Sequence, residues 1–593
     1  MPATGQRTAR LLSGYAKSLS GTAIDYESPL PWLNHALIAR ASDGRSAIAW
    51  ETDPCPPVRA GGRLRFVWLA GLGCNLGEQR FRLHLNGEPV LEFTSRDAES
   101  WQKGGREGIV LSFQGMSRDR YNDRFGLMML DLPAKCCPAG APLTLTVVGD
   151  SAASAAWYMT FTGPVRQEVL IQPSSLLLRN QGHPVQPVRV EVIFLHPSGR
   201  VVLRPEGGPE QRHRLHFGRN TFTLLYPPVA QEASRTLQVE LGGEVLSQSF
   251  VLKPVRPWEI YFVQHTHTDI GYTRPQTDIL AEHLRYLDFA LDYCDQTDAL
   301  PDEARFRWTC ETAWAVREYL KCRPSNQIAR LKQRVQEGRI EVTAMLLNWA
   351  EVADENALLH SLEAVRSFRE AGLPVETAMQ DDVNGFAWCL VDYLHDLGIR
   401  YVTSGINDAR ALKPFAVPTA FWWESPAGKR VLAFRADHYM TGNMIGLTGG
   451  GLERLEDGLP RYLERLAADG YRMNRVSLQY SGYYTDNAPP STGAAEIIRQ
   501  WNEKYLYPHL RNATVHEFLT AIEREEGADL PVLRVAWPDW WTDGYGCAMR
   551  ETAAGRATQA GMVVNKGLLA MAQLLGAALP EAAQRQAEAV MEN

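Results

Sequence analysis

Between residues 36 and about 252 the apolar side chains recur at every second position. RLRFVWLAG (63–71) is a dense apolar run. Phe81, Leu83 and Leu85 alternate with polar neighbours, Asn86-Gly87 supplies a two-residue turn, and VLEF follows. LTLTVVG (143–149) alternates again. Short strands parted by turn residues, with no helical period, predict an all-β sandwich, jelly-roll-like, over 36–166. Residues 1–35 are polar and poorly patterned, and read as an N-terminal extension. A second β segment is predicted over 167–256. Val188, Val190, Val192 and Phe194 alternate before a turn at His196–Gly199, and Leu237, Val239 and Leu241 alternate before Gly242-Gly243. Its length suits an immunoglobulin-like sandwich, with KPVRPW (253–258) as the linker out of it.

At Trp258 the period changes. EIYFVQ precedes a helix at 277–296 with Leu284, Leu287 and Leu291 at helical spacing. Further strands are predicted at 305–309, 339–345, 376–380, 400–405, 430–434 and 475–480. Helices are predicted between them, among them 354–371, 386–397, 452–468 and 492–504. Gly338 and Gly398 close two of these helices. Such βα alternation predicts a parallel sheet, open or closed into a barrel. From 531 the strand pattern stops and helical sequence runs to the end, with Leu568, Leu569, Met571, Leu574 and Leu575 expected on the buried side of a bundle helix. The chain ends at VMEN without a closing element, and the expectation is that the natural protein continues.

Composition narrows the function classes. A chain of 593 residues predicts several domains. A formal net charge of −7 argues against a nucleic-acid partner or an anionic membrane surface, either of which calls for a basic footprint. No apolar run reaches the ~18 residues of a membrane span, and the N-terminus lacks a signal-peptide core. These features predict no membrane partner and a cytoplasmic location; formation of a homo-oligomer is left open. Nine scattered cysteines with no C-x-x-C pair argue against a disulfide framework and a cysteine–zinc site. Sixteen tryptophans and 21 tyrosines suit sugar recognition.

Parallel α/β sheets build their sites at the C-terminal ends of their strands, and there the polar residues gather. The first strand ends in His265-Thr-His267-Thr-Asp269, whose alternate positions share one face. Two imidazoles and a carboxylate on one side are a natural half of a zinc site. Later strands end in Glu311, in Asn348, Trp349 and Glu351, in Asp381-Asp382, in Asp437-His438, and in Tyr484, Asp486 and Asn487. Each residue alone has a plain structural alternative. Asp354 and Asp381 can cap helices, His265 can be a hydrogen-bonded core histidine, Glu311 and Glu351 can be rim ion-pair partners, and His438 can cap a turn.

The motifs resemble, in order, those of the α-mannosidases of glycoside hydrolase family 38. HTHTDIGY is similar to that family's H-S-H-N-D-P-G-W signature, and GRIEVTAMLLNWAEVADEN to its next strand and following segment. MQDDVNGFAW is similar to W-x-x-D-P-F-G-H, and YSGYYTDNAPP to G-x-G-D-G-G-G-x-P. The resemblance covers about 257–593. It implies a seven-stranded (β/α) barrel over 257–530, followed by a helical bundle of which 531–593 is the start. It implies one Zn²⁺ per chain on His267, Asp269 and Asp382, with Asp382 also the nucleophile and Asp486 the acid/base. Tyr272 stands where the family's sugar-stacking Trp is, and Trp349, His438, Tyr484 and Trp541 are the other expected substrate contacts. His265 is expected behind the ligands. Three departures stand out: D-P-F-G is D-V-N-G here, Trp is Tyr272, and the segment that carries the family's fourth ligand, a histidine, reads WPDWWTDGYG. Asp539 is the first choice for that ligand and Asp543 the second, otherwise a supporting residue.

The expected function is thus a zinc-dependent retaining α-glycosidase acting on α-mannosides or a related sugar. Two alternatives are a metal-dependent carbohydrate deacetylase with Asp381 or Asp382 as base, and a catalytically decayed carbohydrate-binding protein.

Overall fold

Asn86 and Gly87 turn the chain with φ of 50° and 89°, and the strands they join, Arg80–Leu85 and Glu88–Thr94, pair antiparallel. The computed structural model of the chain describes residues 10–41, 46–75, 77–119, 121–150, 155–271, 273–348, 352–407, 412–537, 541–577, 581–582 and 585–586, with the backbone alone at Arg10 and 541–544. They divide into two compact units, Met1–Ser174 with Gln186–Pro254, and Ser175–Val185 with Val255–Asn593.

The first unit is built of antiparallel sheet almost throughout. Strands Lys17–Ser20, Ala47–Glu51, Thr144–Gly149, Arg80–Leu85 and Glu88–Thr94 form one sheet in that order. An eight-stranded sheet centred on Arg63–Leu72 and Arg124–Pro133 forms another. Trp50, Phe81, Leu83 and Leu145 from the first and Phe66, Trp68, Phe113 and Tyr158 from the second share one core. Residues before 35 join both sheets. Lys17–Ser20 and Thr22–Asp25 are exposed edge strands, so no burial imposes an apolar alternation on them. In the second β region the predicted alternation holds, with Val188, Val190, Val192, Leu237 and Val239 fully buried. The turn expected at His196–Gly199 does not form. His183–Pro205 is one strand with a bulge between Phe194 and Ser198. Gly199 is needed there because a Cβ would lie 2.3 Å from the Phe194 ring.

In the second unit, Ile260–Val263 of strand Glu259–His265 are buried, flanked by parallel partners Arg475–Ser481 and His509–Ala513. Trp308–Cys310 pairs in parallel with Ile340–Val342. Thr377–Asp382 pairs in parallel with Tyr401–Ile406, which pairs in parallel with Arg430–His438. A strand with no clear sequence signal, Thr419–Glu424, runs antiparallel to Arg430–His438. Hydrogen bonds organise these strands as three sheets, and no closed ladder joins them among the described residues. Helices Gln276–Gln296, Ala313–Cys322, Ser325–Gln336, Gly451–Ala468, Gly493–Lys504 and Val515–Glu526 alternate with the strands. The helix expected over 354–371 is two, Glu355–Ser361 and Ala364–Glu370. Asp354 caps the first, accepting from the Ala357 amide at 2.9 Å.

The helix Met549–Leu574 follows. Its expected buried side is not buried. Leu568 and Met571 are about 60% exposed and Leu574 and Leu575 almost 90%; the helix's hydrogen bonds to Val352 and Asn356, and its buried Met562, lie before them. All nine cysteines are free.

Candidate metal centre

Parallel pairing aligns the C-terminal ends of strands, so the residues just past them face one region. His265 ends the first strand and His267 follows two positions on, on the same side of the extended chain. Both reach the carboxylate of Glu311, just past Trp308–Cys310. His265 Nδ1 lies 2.6 Å from Oε2 and His267 Nδ1 lies 2.9 Å from Oε1. The other nitrogen of His265 donates to the Tyr439 carbonyl at 3.0 Å. The other nitrogen of His267 faces two carboxylates, with Nε2 3.1 Å from Asp269 Oδ1 and 3.8 Å from Asp382 Oδ2. One donor atom from each of His267, Asp269 and Asp382 lies within 4.8 Å of the others.

This triangle fits a small divalent cation. Donors ~2 Å from one tetrahedral Zn²⁺ stand about 3.3 Å apart, and the two measured separations bracket that value. The electrostatics agree. Burial opposes charge on His267, yet Glu311 and Asp269 outweigh it and lift its pKa well above the ordinary histidine value. A ring nitrogen aimed between two carboxylates draws positive charge to that point. Asp382 has φ of +67°, a conformation a non-glycine residue holds only under constraint and one that concentrates at functional sites. Asn407 steadies it, donating to Oδ1 at 2.7 Å. The Asp269 amide donates to Asn487 Oδ1 at 3.1 Å.

Residues 257–536 match the model of the glycosyl hydrolases family 38 N-terminal domain. The chain carries a glycosyl hydrolase family 38 region. No curated protein matches the chain. Among solved structures, an α-mannosidase from Enterococcus faecalis V583 is 17% identical over 47% of this chain and 31% of its own, with a TM-score of 0.38. A family 38 glycosyl hydrolase protein from Enterococcus faecalis is 14% identical over 47% of this chain and 28% of its own, with a TM-score of 0.33. A 4-α-glucanotransferase from Thermococcus litoralis is 13% identical over 48% of this chain and 40% of its own, at 0.31. The chain therefore spans about a third or less of the first two, and the family 38 assignment rests on the domain match.

Around the His267–Asp269–Asp382 triangle, the Asp486 carbonyl accepts from the His267 amide at 3.2 Å. The Asp486 side chain is half-buried, and burial first, then Asp269 and Asp382, raise its pKa against the pull of His267. The His438 ring stacks on Tyr439 at 4.4 Å and lies close enough to act on the Asp486 charge. Tyr484 is exposed beside them. Tyr272, Trp349 and Asp539 lie outside the described residues, as do the side chains of Trp541 and Asp543.

A second cluster, His265, Glu311 and Asp381, is wholly buried behind the triangle. Burial raises Asp381 to about 7, helped by Glu311, whereas the two histidines outweigh burial and hold Glu311 far below the usual carboxylate range. Asp381 Oδ1 accepts from the Gly405 amide at 2.6 Å. A Cβ on Gly405 would lie 2.0 Å from Gln479 Oε1, so only glycine admits this approach.

Two participants, Tyr439 and Asn407, carried no usable sequence signal, whereas Asn487 stands in a strand-end cluster read from the sequence. Tyr439 packs its ring 4.8 Å from His267, and its phenol feels the Asp382 and Asp486 charges. Asn407 and Asn487 hold the carboxylate and the backbone of two ligands. An asparagine beyond a strand reads as a turn residue until its partner is known.

Proposed function

We propose that the chain is a metal-assisted retaining α-glycosidase acting on α-mannosides or a related mannose-type sugar. The observation that supports it most is the His267–Asp269–Asp382 triangle within a family 38 region. In this reading 257–530 is the catalytic (β/α) barrel of seven strands, 36–166 and 167–256 are accessory β domains, and 531–593 opens a helical bundle.

The ion is one Zn²⁺ per chain, held by His267, Asp269 and Asp382 with Asp539 as fourth donor and Asp543 in support. When bound, it supplies a Lewis acid beside the sugar hydroxyls. The Asp382 carboxylate attacks the anomeric carbon as the glycosidic bond breaks, and Asp486 gives its proton to the leaving oxygen. Asp486, now ionised, takes a proton from water as the water oxygen displaces Asp382 from that carbon. The upward shift of Asp486 suits the first step, which needs it protonated. The constrained backbone of Asp382 and its bond from Asn407 suit a nucleophile that must not swing. Tyr272 and Trp541 offer ring faces to the sugar, with Trp349, His438 and Tyr484 around it, and His265 backs the site from the interior.

The test is hydrolysis of 4-nitrophenyl α-mannoside. The wild-type chain should turn over, and Asp382→Asn should lose turnover while keeping its unfolding midpoint. Near-normal rates in that variant would remove Asp382 as nucleophile.

A further inference from the structure

We infer that Glu311 is the positioning residue of the metal centre: it fixes which nitrogen of His267 faces the ion and sets Asp382 in register with it. The inference rests on the metal-binding reading of the His267–Asp269–Asp382 triangle and adds a residue outside it.

Glu311 is fully buried, yet both its oxygens are engaged. An ionised carboxylate only accepts hydrogen bonds. Oε1 also accepts from the Asn348 amide nitrogen at 2.6 Å and faces the Thr268 amide at 3.4 Å, so it meets His267 Nδ1 as an acceptor and the proton between them sits on Nδ1. Nε2 then points at Asp269 and Asp382. A nitrogen aimed at two carboxylates needs a cation, a proton or a metal ion, between it and them. Outer carboxylates use the same division of labour to orient metal-bound imidazoles. Without Glu311, Nδ1 loses its partner and the ring is free to turn Nε2 away from the two carboxylates.

The second role follows from Asn348. Its amide nitrogen donates to Glu311 Oε1 at 2.6 Å, and its oxygen accepts from the Asp381 amide at 3.2 Å. One bridge thus runs from His267 through Glu311 and Asn348 to the backbone beside Asp382. It links two strands that no ladder hydrogen bond joins, Glu259–His265 and Thr377–Asp382. The Thr268 amide, 3.4 Å from the same oxygen, ties the loop between His267 and Asp269 to it. The three donors come from two separate chain segments, and Glu311 joins them, bonded directly to the first and through Asn348 to the second.

The test is the Zn²⁺ dissociation constant of the full chain, read by competition with a chromophoric chelator, for wild type, Glu311→Gln, Glu311→Asp and Asn348→Ala. Glutamine keeps the shape but presents one acceptor where two imidazole N–H groups need acceptors. It should weaken binding about 10–100-fold, the cost of losing such an outer partner. Glu311→Asp should recover part of that loss, and Asn348→Ala should weaken binding several-fold. The unfolding midpoint of each metal-free variant separates positioning from folding, and Asn348→Ala carries the test where Glu311→Gln does not fold. Wild-type affinity in both Glu311→Gln and Asn348→Ala overturns the role of Glu311 and leaves the metal site standing. No Zn²⁺ binding by the wild type overturns both.

Discussion

Asp486 lies half-buried close to two other carboxylates, and burial is the larger cause of its raised pKa. An acid must be protonated to act, so turnover should fall as pH rises through that pKa. Asp486→Asn cannot titrate. Its pH–rate profile should lose the alkaline limb, and its rate should drop about 10²–10⁴-fold, the usual worth of a placed general acid. The loss should shrink for a leaving group that departs without a proton, so a dinitrophenyl mannoside should suffer less than a methyl mannoside. An unchanged alkaline limb in the variant would assign that limb elsewhere. Asp381 and Asp382 show how much neighbouring residues can differ. Asp381 points inward to the Gly405 amide and has its pKa raised to about 7 by burial, whereas Asp382 reaches the face of His267. Adjacent strand positions face opposite ways, and that alternation, with the left-handed backbone of Asp382, divides an interior acid from a metal-facing one.

The helix Gln276–Gln296 buries Ile279, His283, Tyr286, Leu287, Ala290 and Leu291 along one stripe, and His283 is the polar member of it. Its Nε2 has no partner among the described residues. Burial lowers its pKa to about 4 from 6.5, against the pull of Glu311 and Glu282. The folded state therefore binds this proton less readily than the unfolded chain. The stabilisation is complete above pH 6.5 and is lost as pH falls toward 4, by about 3 kcal/mol in all. Urea midpoints across that window should fall for wild type and fall less for His283→Phe; equal slopes would contradict the assignment. This helix was legible in the sequence from its leucine spacing, and so were most parallel strands, because each is a short apolar run ended by a polar cluster. Thr419–Glu424 was not, since a strand completing a sheet edge is specified by its neighbour more than by its own pattern. The bulge in His183–Pro205 read as a turn because Pro197 and Gly199 serve both. The buried side expected for Met549–Leu574 is exposed, because sequence periodicity marks an apolar stripe and does not say what covers it.

Across the molecule, the division of labour was legible in outline. Alternation with period two stops where the βα grammar starts, near Trp258, and the two compact units divide at Pro254 and Val255. No helix among the described residues is long and apolar enough to cross a membrane. Of the triangle, His267 and Asp269 were readable from one short segment, and Asp382 was singled out from Asp381 only by the resemblance to family 38. In the network that holds it, Glu311 and Asn348 were readable as strand-end polar residues, but Asn407 and the pairings among the three were not, because they become partners only when the sheets assemble. The account rests on that triangle holding a metal ion. The most direct measurement is elemental analysis of the full chain after Zn²⁺ loading and exhaustive dialysis, for wild type, His267→Ala and Asp382→Asn. The account predicts about one ion per wild-type chain, the stoichiometry of a single closed donor set, and a near-complete loss in both variants. A wild-type chain without bound zinc, or variants that retain it fully, would contradict it.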